Sequence, residues 1–299
     1  MIFVLLSVIC SVLVSVLLKL ARRFDVDIGQ AIAWNYVVAS ALTAWLLPAS
    51  LTTLRAPGAP WLALIGLGVL LPTIFLALAA SVRHAGIVRS DAAQRLSLVL
   101  SLLAAFMLFG EQLNALKALG MALGLLGLLA MVWRQRGTRA AGGGPASDAV
   151  VRGTAAAMAH WLYPLLVFVG FGVIDILFKQ VALAGVPLGA SLQAMFALAL
   201  VVGFALQWWR RARGAMRFTV RSAWGGVALG LFNFGNILFY LRGHRALPQH
   251  PALVFTSMNI GVVALGAVVG LLVFREHLSR TNLAGVGLAV LAIVLLARP

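Results

Sequence analysis

Two stretches decide the fold: FGEQLNALKALGMALGLLGLL at residues 109–129 and FREHLSRTNLAGVGLAVLAIV at residues 274–294. Both read F-x-E-x-L-x6-G-x2-L, which lays Glu111 over Glu276 and Gly120 over Gly285. In each, a short polar turn runs into an apolar helix-forming stretch of the kind a bilayer accepts. The openings of the two regions also correspond: SVLLK from Ser15 to Lys19 lies over DILFK from Asp175 to Lys179. Self-similarity of this kind is a strong organising signal, so the chain reads as two copies of one unit.

Composition says what solvent those copies meet. Of 299 residues 63% are hydrophobic and 10% charged, with a mean hydropathy of +1.04; a soluble domain carries about 25% charged residues. A hydrocarbon core about 30 Å thick takes about 20 apolar residues per helix. Candidate spans fall at 1–18, 30–48, 61–81, 92–109, 115–133, 160–179, 188–209, 222–241, 251–273 and 280–297. The first has no basic leader and no small-residue cleavage site after it, so it is expected to be a retained span.

The longest connection, RQRGTRAAGGGPASDAVVRG, is rich in Gly, Ala and Ser and reads as a flexible linker. The organisation expected is a first five-span repeat at 1–133, a linker at 134–153 and a second five-span repeat at 154–299. An odd number of spans inserts the second copy upside down. The fold class expected is therefore an all-α integral membrane protein, with ten transmembrane helices as two inverted five-helix repeats.

Two such halves, each closing with a glutamate turn and a Gly-containing last helix, resemble the drug/metabolite transporter superfamily. More closely they resemble its EamA-type branch, with two EamA-like repeats. Lys19 and Lys179, early in each half, fit that pattern. The resemblance covers nearly the whole chain and implies a transporter. It leaves the substrate open among amino acids, amines, sugars, nucleotide derivatives and drugs. Arg275, where the first half has Gly110, departs from the pattern. The resemblance implies both termini in the cytoplasm. Charge points the other way: most of the 23 Lys and Arg, including Arg22, Arg23, Arg210, Arg211, Arg213, Arg217 and Arg221, sit on the odd-numbered connections. The positive-inside rule would place that side in the cytoplasm.

Charged and amide groups inside spans are costly and mark function or a structural partner. Asp175 is the foremost candidate, for a substrate amine or a coupling proton. It appears one turn from the end of its span, with Lys179 at i+4 as an alternative structural partner. Ser7, Ser11, Ser15 and Lys19 recur every fourth residue and share one helix face. That stripe suits close helix packing or a substrate cavity, and Lys19 can snorkel. Asn233, Asn236 and Tyr240 share a face at i, i+3 and i+7; Thr256 and Asn259 share another. Gln94 with Ser97 and Ser101, and Trp34 with Asn35 and Tyr36, complete the set. The substrate-binding candidates are Ser11, Ser15, Trp34, Asn35, Gln94, Asp175, Asn233, Asn236, Tyr240 and Asn259. Near a span end, Trp34 and Tyr36 also suit an interfacial belt. Asp91 and Arg95 suit a one-turn pair, and Glu111 and Glu276 suit caps on the last helices. Gly120-x3-Gly124, Gly226-x3-Gly230 and Gly266-x3-Gly270 are expected at close helix contacts, and Pro72, in the middle of the third span, is expected to kink it.

The function expected is secondary transport of a small polar metabolite, an amino acid or related compound, with export favoured. The alternative is a lipid-carrier flippase, using Lys19, Arg95 and Lys179 for phosphate. No cofactor and no metal is expected: Cys10 is the single cysteine, and no phosphate-binding loop or H-E-x-x-H exists. His84, His160, His244, His250 and His277 read as span-end or loop residues, so no enzyme is expected. The net charge of +16 reads as basic loops, with the lipid bilayer and not nucleic acid as partner. Two fused halves make a monomer the default, and the Ala, Gly and Arg usage suggests a bacterial inner membrane.

Overall fold

The computed structural model describes residues 1–85, 87–112, 114–133, 154–274 and 280–296. Among them the chain is all-helical, with ten α-helices and no strand. In order they are α1 (Ile2–Ala21), α2 (Ile28–Leu46), α3 (Trp61–Ala85), α4 (Ile87–Met107), α5 (Ala115–Trp133), α6 (Thr154–Leu183), α7 (Leu188–Ala212), α8 (Val220–Ala246), α9 (Pro251–Phe274) and α10 (Arg280–Leu296). A helix stands at each place where a span is expected. Residues 134–153, the expected linker, lie outside the described residues, as do Arg275, Glu276 and His277.

Six helices, α1, α3, α6, α7, α8 and α9, are long and apolar enough to cross a membrane. Shorter apolar stretches occur in α4, α5 and α10. Their outward faces are greasy: Leu62 of α3 is 83% exposed and Trp161 of α6 72% exposed. Water gives such surface no counterpart, whereas lipid does. The chain is an integral, multi-pass membrane protein. α2 is the exception in composition, because Gln30 and Asn35 lie inside it and both are buried.

Several helices overrun the expected spans. α8 continues through Arg242-Gly-His-Arg245 because protein groups receive those residues: His244 is fully buried, and Arg245 donates to the Val186 carbonyl. α6 runs on to Leu183, which leaves Asp175 about two turns from the helix end and not one. α4 stops at Met107, and Gly110 then takes a left-handed φ of 64°. Phe109 and Glu111 amides fold back to the Ala104 and Ala105 carbonyls. A side chain at that φ would be strained. At the start of α5, Asn114 Oδ1 accepts the Lys117 amide at 2.7 Å, and the buried Glu111 carboxylate accepts from Lys117 Nζ at 2.9 Å.

Two compact units form, Met1–Phe75 with Ile174–Val254 and Leu76–Val173 with Phe255–Pro299. In the first, α2 packs along both α7 and α8, and α1 packs along α8. Glycine makes these seams. A Cβ at Gly226 would meet the Ala31 carbonyl and Trp34, and one at Gly230 would meet the Asn35 carbonyl and Val38. A Cβ at Gly203 would touch Ala33, and one at Gly189 the Leu47 carbonyl. On α1, Cys10 lies against Gly235. In the second unit α5 packs along α10, and Gly124 sits under Ile260, Thr256 and Ala292. Ser81 and Ser90 hydroxyls, 2.6 Å apart, tie the end of α3 to the start of α4. Gly266 does not fit the expectation for its motif. Among the described residues a Cβ there would meet nothing within 4 Å, so none of them demands glycine. Pro72 lies inside α3, and Pro164 inside α6.

Gly226→Val should therefore part α2 from α8 and cost about 3 kcal/mol, while Gly266→Ala should be neutral or stabilise by at most about 1 kcal/mol. Thermal unfolding of the two purified variants in detergent measures both. Equal effects would refute the seam assignment.

Candidate functional site

α8 carries the polar residues that organise the first unit. Asn233, Asn236 and Tyr240 share its face and reach three different helices. Asn233 Nδ2 donates to Asn35 Oδ1 on α2 at 3.1 Å. The Ser7 hydroxyl of α1 lies 2.8 Å from both the carbonyl and Oδ1 of Asn236. The Tyr240 hydroxyl donates to Asp175 Oδ1 on α6 at 2.8 Å. An amide or carboxylate left alone in an apolar bundle costs several kcal/mol, so these bonds both hold the helices and fix where their polar groups sit.

The α6–α8 end of this ladder is the most strongly charged. Asp175 accepts from Tyr240, whose ring stands edge-on to Phe178 at 5.7 Å and to His244 at 4.7 Å. Lys179 is fully buried and donates to the Pro248 carbonyl at 2.8 Å. A carboxylate, a phenol, an imidazole and an ammonium thus gather on α6 and α8. The set can present donors and an anionic acceptor to a small polar molecule, or hold a proton on Asp175.

The other expected residues separate. Trp34 is part of the α2 seams: it packs over Gly226, and its ring meets Phe204 of α7 edge-on at 5.5 Å. Ser15 is exposed and donates to the Ser11 carbonyl on its own helix at 3.1 Å. Of the stripe, Ser7 is the fully buried member and Lys19 is exposed. Gln94 and Asn259 belong to the second unit. The Gln94 carbonyl accepts from Ser97, and Asn259 Nδ2 donates to Phe255 of its own helix at 3.0 Å. The Asp91 side chain lies outside the described residues.

Two groups correct the sequence reading. His244 stands in the last turn of α8, at a span end as expected, but it is fully buried one turn beyond Tyr240, and the spacing Asn236, Tyr240, His244 at i, i+4, i+8 carried that signal. Tyr36 is not in an interfacial belt; it is fully buried, with its ring 6.2 Å from Phe196.

A second polar network joins the α1–α2 loop to the α7–α8 connection. Asp27 caps α2, with Oδ1 accepting the Gln30 amide at 2.8 Å. Arg210 at the end of α7 grips the same carboxylate with both Nη atoms, at 3.0 and 2.9 Å, and donates to Gln207 at 2.7 Å. The Asp27 amide donates to Ser222 Oγ, and the buried Gln30 amide group bridges the Arg217 carbonyl and the Thr219 amide. Asp27 with Gln30 three residues on is capping-box spacing, a signal available in the sequence. Partial burial pushes the Asp27 carboxyl up. The Arg210 hydrogen bond, backbone amides and the Arg210 charge outweigh this and hold it below the ordinary value.

Residues 1–133 match the model of the EamA-like transporter family. An uncharacterized protein of Haemophilus influenzae is 40% identical over 294 residues, which cover 96% of this chain and 94% of that protein. A solved crystal structure at 18% identity superimposes with a TM-score of 0.70, covering 98% of this chain and 96% of its own. At that identity the likeness is one of fold.

The lowered Asp27 pKa sets a pH dependence. The clasp with Arg210 contributes fully above the ordinary carboxylate range and is lost as pH falls through the lower, folded-state value. Asp27→Asn should thus lower the melting temperature at pH 7, and wild type and variant should converge as pH falls below the ordinary carboxylate range. A gap that persists unchanged at acid pH would show that the charge is not what binds the two loops.

Proposed function

The chain belongs to the EamA-like transporter family, and on that premise we propose that it moves a small polar metabolite across a membrane by alternating access. The substrate is an amino acid or a related compound, export is the favoured direction, and the bacterial inner membrane is the site of action. One observation carries the reading beyond family membership: Asp175, a carboxylate about two turns inside a membrane helix, is held by a tyrosine from another helix. Intramembrane ionisable groups are expensive and mark substrate or ion pathways. Along α8 from the Tyr240 that holds it, Asn35, Asn233, Asn236 and Ser7 supply uncharged hydrogen-bonding groups suited to a polar or zwitterionic compound. No phosphate-binding loop occurs in the sequence, so any drive is a gradient; Asp175 is the group for a coupling proton, and uncoupled facilitation or exchange is the alternative.

Ten spans in two inverted five-span repeats, 1–133 and 154–299, provide the two-state machinery, in a monomer. The packing of α2 with α7 and of α5 with α10 supports this arrangement. A two-fold relation between the halves brings like-placed helices together in that way. Flippase chemistry is less well supported, because Lys179, one of its three cations, is buried and turned to the Pro248 carbonyl.

Two measurements test the proposal. A ligand at 100 times its Kd stabilises the folded state by about 2.7 kcal/mol; a thermal-shift screen of amino acids, amines, nucleosides, sugars and polyprenyl phosphates should give hits among the soluble metabolites. Hits confined to the lipid phosphates would favour the flippase. In proteoliposomes, Asp175→Asn should reduce flux of the hit at least about tenfold while leaving the melting temperature close to wild type. Asn keeps the Oδ1 acceptor for Tyr240. Wild-type flux in the variant would remove Asp175 from the mechanism.

A further inference from the structure

The α2–α7 seam holds polar side chains that the packing leaves unanswered. Tyr36 Oη, Ser40 Oγ and Gln193 Oε1 are all buried, and none has a hydrogen-bond partner among the described residues. Native interiors leave few such groups, and each asks for an explanation. Their placement is shared. Gly203 faces Ala33 and Gly189 faces Leu47, so α2 and α7 run antiparallel with Ser40 level with Phe196. Gln193 lies one turn from Phe196 on α7, and Tyr36 one turn from Ser40 on α2. The Tyr36 ring contacts Phe196, which contacts Phe234 of α8 at 6.5 Å. Asn35 and Asn233, bonded to each other, flank this trio in sequence on α2 and α8.

The geometry points to a subsite for a hydroxyl or other uncharged hydrogen-bonding group of the transported compound, formed by Tyr36, Ser40 and Gln193 against the Tyr36–Phe196–Phe234 rings. This deepens the transporter reading and rests on it. Two hydroxyls can donate or accept, and the Gln193 oxygen accepts. A ligand hydroxyl can therefore donate to one and accept from another. None of the three carries a charge, so an ionised group would lose its hydration here without a counter-charge, whereas a hydroxyl would gain partners. A methyl in its place would leave the protein's own groups unanswered, and sites built to bind a hydroxyl reject such analogues strongly.

The test uses isosteric or matched pairs that differ by one hydroxyl: threonine against valine, glucose against 6-deoxyglucose, and uridine against 5′-deoxyuridine. Thermal stabilisation of the purified full chain reads binding, and uptake into proteoliposomes reads transport. Wild type should favour the hydroxylated member of the pair it accepts. Tyr36→Phe should cut that preference about tenfold, the worth of one hydrogen bond, and leave the deoxy member unchanged; Ser40→Ala should act in the same direction. Tyr36→Phe should fold at least as stably as wild type, since it removes a buried hydroxyl that has no partner in this conformation. Transport with the preference intact in both variants would overturn the subsite and spare the transporter reading. Binding whose preference falls in Tyr36→Phe, with no uptake, would support the subsite and overturn transport. Neither binding nor uptake for any pair would overturn both.

Discussion

A polar group carried into a bilayer finds no water there, and the protein itself must answer it. The first compact unit follows from that constraint. Asn233, Asn236 and Tyr240 make α8 a polar spine, and each of them is answered by a different helix: α2, α1 and α6. Hydrophobic burial gives little guidance between helices in lipid, because the tails are as apolar as leucine. Directional bonds from one spine choose the neighbours instead, and they place an acid, an imidazole and an amide pair along the same element.

Close approach makes those bonds reachable. Side-chain amides are short, so Asn35 and Asn233 can meet only if α2 and α8 nearly touch. Gly226 and Gly230 permit this by standing under the α2 backbone. Beyond the apolar zone the Asp27–Arg210 clasp ties the start of α2 to the end of α7. Small residues set the distance, amides set the register, and an ion pair outside the core finishes the end where water makes charge cheap to expose.

The helices and their order were legible in the sequence, since runs of apolar residues between Arg-, Gly- and Pro-rich turns leave little choice. The shared face of Asn233, Asn236 and Tyr240 was legible too, because helical spacing is local information. Depth was not. Tyr36 looked interfacial and Asp175 looked one turn from a span end. Each lies eight residues from its helix terminus, about 12 Å along the axis. Helix ends are set by what receives the terminal side chains, and those receivers lie elsewhere in the chain. Partner choice across the bundle was hidden for the same reason: i, i+4 spacing names Lys179 beside Asp175, but nothing local points to Tyr240, from α8, which donates to it. Glycine spacing likewise gives no partner, as Gly266 illustrates: among the described residues nothing stands within 4 Å of a Cβ placed there.

The span between partners has a consequence for biogenesis. Asn35 is separated from Asn233 by 198 residues, and Ser7 from Asn236 by 229. At a synthesis rate of about 5–20 residues per second, α2 emerges roughly 10–40 s before α8 exists to receive it. α2 is also absent from the six helices apolar enough to settle in lipid by themselves. During that interval Gln30 and Asn35 must be sheltered by the insertion machinery or wait at the membrane surface. α2 is therefore a late-committing segment despite its early place in the chain, and its final seating is timed by the translation of α7 and α8.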